Sequence, residues 1–160
     1  MTEADDRRKS KKLTRTEIMA MVGGLVLAFS LTLNWYNAKN ENATINGEKG
    51  PIDVTGWASH PTMRWLLVAA AAAPFILAYI IIRGHQLSWA RGEMTAVVAI
   101  AAFGLIGYSG LIDRPGEPGN SLIGLQWGWL VAVAGTLLML IGSALRASEV
   151  ERKRKPPGVL

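Results

Sequence analysis

Three stretches of this chain contain no charged residue: Trp65 to Ile82, Met94 to Ile112, and Gly119 to Leu145. A fourth apolar stretch, Ile18 to Tyr36 (IMAMVGGLVLAFSLTLNWY), is also uncharged. Water-soluble domains interleave their core residues with polar ones at helical or strand spacing, which these blocks do not. Uncharged runs of about 18 residues or more are long enough to cross a hydrocarbon layer of about 30 Å. Within lipid each must be helical, because an open strand would leave its amides unpaired. The fold expected is an all-α membrane protein, a four-helix transmembrane bundle with spans at about 18–36, 65–82, 93–111 and 125–145. Residues 1–16 and 147–160 form basic tails, and residues 17–146 form the transmembrane domain. Thr14-Arg-Thr-Glu17 offers a capping box at the start of the first helix. Its apolar run is too long for the core of a cleaved signal, and YNAKN after it lacks small residues at both cleavage positions, so the span reads as retained.

Lys and Arg set the orientation. Arg7, Arg8, Lys9, Lys11, Lys12 and Arg15 precede the first span, Arg83 and Arg91 lie between the second and third, and Arg146, Arg152, Lys153, Arg154 and Lys155 follow the fourth. Only Lys39, Lys49, Arg64 and Arg114 fall on the other side. Both termini are therefore expected in the cytoplasm, with residues 37–64 and 112–124 outside and the protein multi-pass in the plasma membrane. The aromatic residues follow the same plan. Trp35, Tyr36, Trp65, Tyr108, Trp127 and Trp129 fall at the outer boundary, Tyr79 and Trp89 near the inner one, as amphipathic rings do in the headgroup layer.

The formal charge of +5 does not indicate nucleic acid, because the basic residues flank membrane segments. It fits anionic lipids at the two tails. Absence of cysteine excludes disulfides, thiolate nucleophiles and cysteine-held metal clusters. The four spans carry no ionisable residue in their interiors. Such residues mark proton and ion pathways, and a proton-coupled antiporter resembling the small multidrug family would want a carboxylate where the first span has Ser30, Thr32 and Asn34. His60 and His85 fall on opposite sides of the membrane and cannot share a metal. Ser109 sits between glycines but lacks the spacing of a nucleophile elbow. Asn42-Ala-Thr44 matches a glycosylation acceptor only formally. No catalytic, cofactor-binding or metal-binding residue is assigned, and no cofactor is expected.

Small residues mark where membrane helices approach closely: Gly23 and Gly24 in the first span, Ala69 to Ala73 in the second, Gly104, Gly107 and Gly110 in the third, and Gly124, Gly128, Ala132, Gly135 and Gly142 in the fourth. They serve packing within the chain or, through the fourth helix, a homodimer. Pro74 is expected to kink the second span. Outside, Asn46-Gly47 signals a turn, with a two-stranded hairpin expected at about 42–46 and 51–55. Residues 57–63 form a helical turn at the interface, and residues 113–121, rich in proline and glycine, a compact turn.

Trp35-Tyr36 at the end of the first helix, Gly56-Trp57 before the second and Ile112-Asp113-Arg114-Pro115-Gly116 after the third carry a resemblance. So does the small-residue fourth helix closing on Leu145-Arg146. In these the chain resembles uncharacterised four-helix integral membrane proteins of the actinobacterial type, with Asn34 where their Trp-Tyr usually follows proline. The resemblance spans residues 20–150 and implies a topology without an activity.

Three functions are compatible with these features. The leading one is a non-catalytic accessory, scaffold or assembly partner that contacts other membrane proteins through its outer hairpin and tails. The second is a passive lipid- or small-molecule-binding or transport bundle using Ser30, Asn34 and Gln126. The third is a membrane enzyme, for which only Asp113 with Arg114, or Glu93 with Arg91, could serve.

Overall fold

The computed structural model describes residues 13–83 and 92–154. Most of the basic N-terminal tail, the loop holding His85, Gln86, Trp89 and Arg91, and the end of the C-terminal tail lie outside the described residues. The protein is mostly helical, and a small sheet gathers at one end of the helices.

Helix α1 runs Arg15–Ser30. Its capping box is formed as the sequence suggests, with Glu17 reaching back to the Thr14 amide at 2.6 Å and the Thr14 hydroxyl accepting from the Glu17 amide. The expected helix to Tyr36 stops early. Side chains take over the last carbonyls: Ser30 donates to Leu27 at 2.6 Å, Thr32 to Phe29 at 2.8 Å, and the Trp35 indole to Ser30 at 2.8 Å. Amides 31 to 33 close tight turns onto residues 28 to 30. With its terminal carbonyls satisfied in this way, the helix gives way to strand β1, Asn34–Ala38.

Strand β1 is the centre of a three-stranded antiparallel sheet, between β4 (Ile52–Thr55) and β5 (Ile123–Leu125). The Asn46-Gly47 turn forms with both residues at positive φ, as a tight hairpin requires. It joins β2 (Thr44–Ile45) to β3 (Glu48–Lys49), so the expected hairpin is corrected in its pairing. Residues 52–55 form the foreseen strand, but their partner is β1, because alternation shows that a segment is a strand without showing which segment it meets. Helix α2, Gly56–Ser59, follows and leads into helix α3, Met63–Arg83. Helix α4, Glu93–Gly107, continues as a π turn through Ile112, and helix α5 covers Trp127–Arg154. Gly124 belongs to β5, not to the last helix.

Among the described residues, three segments, Met63–Arg83, Glu93–Ile112 and Trp127–Ser148, are long and apolar enough to cross a membrane. Helix α1, at 16 residues, spans about 24 Å. It packs against α5 and α3, and α4 packs against α5 and α3. Small residues line these contacts. A Cβ on Gly23 would lie 2.7 Å from the Gly135 carbonyl and one on Gly142 2.7 Å from that of Thr16; one on Gly24 would lie 2.5 Å from that of Ala71, beside Pro74. The fourth segment's glycines are thus used within the chain. Large residues point the other way: Ile18, Val22, Leu25 and Phe29 form an outward stripe on α1, as do Met94, Val97 and Ile100 on α4. Small-inside, large-outside helices suit an apolar surrounding, since water would penalise so continuous an exposed face.

A Gly135→Leu substitution should force α1 and α5 apart and destabilise by about 1–3 kcal/mol. Gly104→Ala, where nothing lies within 4 Å of the added methyl, should be neutral or slightly stabilising. Thermal unfolding in detergent compares the two; equal effects would contradict the packing described.

Candidate functional site

The sheet end of the molecule is assembled around Trp35 and Tyr36. A β-bulge falls between Asn34 and Tyr36 in the pairing of β1 with β4. A regular strand would send successive side chains to opposite faces; the bulge turns both rings inward. Each is fully buried, at 0 % exposure, which corrects their expected place as interface anchors. The Trp35 ring lies against Gly56 and Gly128, where added Cβ atoms would sit 2.5 Å and 2.7 Å from it. Of the other aromatics, Trp65, Trp127, Tyr108 and Tyr79 are exposed as interface anchors would be. Trp129 is half-buried, its indole donating to Ile106 at 2.9 Å over Gly110.

The Tyr36 hydroxyl donates to the Ser109 carbonyl at 3.1 Å and meets His60 Nε2 at 3.1 Å, the two rings edge to face. With the phenol proton committed to Ser109, His60 supplies the Nε2 proton as the neutral tautomer. Burial pushes the Tyr36 phenol up to about 12, against the opposing pull of the Ser109 hydrogen bond and the Arg114 charge. Tyr36 is therefore a neutral donor and no nucleophile. Burial also lowers the His60 pKa below its ordinary 6.5, with the Asp113 charge acting the other way.

The two connections at the sheet end are stitched together. Thr44 and Glu117 exchange backbone hydrogen bonds of 2.8 and 2.9 Å, and the Lys39 amide donates to Leu122 at 3.0 Å. Arg114 turns its guanidinium onto the carbonyls of Gly110 at 2.8 Å and Ile123 at 2.6 Å, fixing the compact turn that the sequence suggests for 113–121. Asp53 accepts from Asn37 at 2.7 Å and from Gln126. The result is a folded cap in which residues far apart in sequence fix one another.

The polar residues weighed for solute binding are not brought together. Ser30 is buried and donates to its own helix, Asn34 is exposed at the start of β1, and Gln126 holds Asp53. Ser109 Oγ likewise donates to Ile106 of its own helix. Arg114 is engaged by carbonyls and not by Asp113, and Arg91 lies outside the described residues.

Sequence reasoning missed one pair. Glu17 and Arg146 meet at the opposite end of the helices, 3.2 Å apart and both buried. Each was assigned a local role, as a cap or as an orientation charge; only the α1–α5 contact joins them. Beside them a cavity of about 10 Å³ is lined in part by Thr95, Ser143 and Gly142, room for about one water. It is no solute chamber. At the cap end an open groove of about 420 Å³ runs along Leu125, Gln126, Trp127, Trp129 and Leu130.

No protein-family model matches the chain, and neither a curated protein nor a solved structure matches it.

His60 yields a pH prediction. Because its folded pKa is depressed, its contribution to stability is present above about 6.5 and is lost as pH falls toward the folded value. The difference in melting temperature between the unaltered protein and His60→Gln, measured in detergent, should shrink between pH 7.5 and 5. A gap that widens on acidification would contradict a half-buried neutral imidazole.

Proposed function

We propose that this chain is a multi-pass protein of the plasma membrane, a four-helix transmembrane bundle with both termini in the cytoplasm. Its function is that of a non-catalytic accessory or assembly partner that presents a rigid cap to other membrane components. The observation that carries this reading is the cap itself. Joining two helices needs only a few residues, whereas here residues 34–59 build a sheet with residues from the third connection and lock it onto the helix ends. Rigid elements display a contact surface without an ordering cost on binding. The distribution of Lys and Arg supports the orientation. A likeness to actinobacterial four-helix membrane proteins, if it holds, would imply the same topology.

The passive binding or transport reading has less support, because Ser30, Asn34 and Gln126 are each engaged or placed separately, and the cavity between the helices beside Glu17 accommodates a water and nothing larger. An enzymatic role lacks a convergent group of reactive side chains among the described residues. The orientation is tested by single cysteines in a chain that has none of its own. Glu48→Cys should react with an impermeant thiol reagent outside intact cells and Gln86→Cys should not. Purification from native membranes in mild detergent tests the function. A stoichiometric partner lost on substituting exposed cap residues such as Glu48 and Lys49 is the expected outcome; repeated isolation of the chain alone would count against it.

A further inference from the structure

Arg64 lies in the first turn of α3, at the cap end of a segment long enough to cross a membrane. Its guanidinium sits over two indoles, 5.0 Å from the Trp57 ring centre and 5.7 Å from that of Trp65. The two rings themselves meet edge to face at 5.2 Å. Trp57 and Trp65 are 39 % and 59 % exposed, so the cluster lies at the surface.

Among the described residues, little neutralises the charge of Arg64. Its guanidinium makes one hydrogen bond among the described residues, a long 3.4 Å contact from Nη1 to the Trp57 carbonyl, and Nε is itself buried without an acceptor, so a ligand would meet the Nη side of the group. No carboxylate pairs with it among those residues. Arg114, on the same end of the molecule, differs in having its donors taken by carbonyls. An arginine in the first turn of a membrane-crossing helix stands at headgroup depth, where exposed indoles also settle. What lies opposite a guanidinium there is phosphate, whose oxygens match its planar fork.

We propose that Trp57, Arg64 and Trp65 form a binding site for a phospholipid, with Arg64 holding the phosphodiester and the indoles packing against the glycerol and upper acyl chains. The inference rests on the membrane reading. It is separate from lipid binding by the basic tails, which lie at the other end of the helices in the proposed topology. The site fixes the depth of the cap in the headgroup layer, and it gives a role to an interfacial cation that no carboxylate among the described residues pairs with.

The test uses the full chain with Arg7, Arg8, Lys9, Lys11, Lys12, Arg152, Lys153, Arg154 and Lys155 replaced by Gln, which removes most of the charge of both tails. In non-ionic detergent it is titrated with dioleoylphosphatidylglycerol and, separately, with dioleoylglycerol, which lacks the phosphate. Bound lipid is counted by native mass spectrometry. The phospholipid should be retained, the diacylglycerol should not, and Arg64→Gln should weaken retention about fivefold. Arg64→Lys, which keeps the charge and loses the fork, should recover part of it. Equal retention by Arg64→Gln, equal binding of diacylglycerol, or displacement of lipid by millimolar inorganic phosphate would overturn the proposal. Should Arg64→Gln fail to fold, the comparison of the two lipids on the unsubstituted arginine decides. Alkaline extraction of native membranes separates the two levels: release of the protein refutes the membrane reading, whereas a protein that stays in the membrane yet fails the titration refutes the lipid site alone.

Discussion

Burial of the Trp35 indole is the contact on which the rest of the cap depends. The ring occupies the space left by Gly56 and Gly128, and its N–H satisfies the Ser30 carbonyl at the end of α1. One side chain therefore ends the first helix, seats α2 and fixes the start of α5. The bulge that admits Trp35 also turns Tyr36 inward, where its hydroxyl reaches Ser109, 73 residues away. An aromatic ring buried to this degree contributes about 3–5 kcal/mol when compared with alanine. That is ample to hold a sheet of short strands that would be marginal alone.

The two ends of the helices are built on different physics. At the cap end, apolar rings and backbone pairing dominate, and the polar side chains are mostly satisfied by carbonyls. At the other end the Glu17–Arg146 pair joins α1 to α5 while Glu17 also caps its own helix. Between the ends, contact is made by Gly23, Gly24, Gly135 and Gly142, whose missing side chains let backbones meet. Such packing leaves little space between the facing helices among the described residues.

The helical segments were legible because an uncharged run of membrane length has few other structural solutions. The Asn46-Gly47 turn was legible because few residue pairs accept two positive φ angles. Strand β1 was not. Asn34 to Ala38 continues an apolar run, and Trp-Tyr at its end looks like an interface anchor; its true state is set by Gly56, His60, Ser109 and Gly128, none of them near it in sequence. The Glu17–Arg146 pair was hidden for the same reason, as each residue has a sufficient local explanation. The Arg64 cluster could have been found from Trp57 and Trp65 flanking a lone arginine, but that no carboxylate among the described residues pairs with it is visible only in three dimensions.

The central claim is that the polar insert between the first two long helices is a rigid cap and not a solvated linker. Hydrogen–deuterium exchange on the full chain in a lipid nanodisc measures this directly. Peptides covering 34–38 and 123–125 should exchange as slowly as those from α1, protected by their ladder and by the rings beneath. Exchange of those peptides within seconds, at the rate of an unstructured loop, would contradict the account.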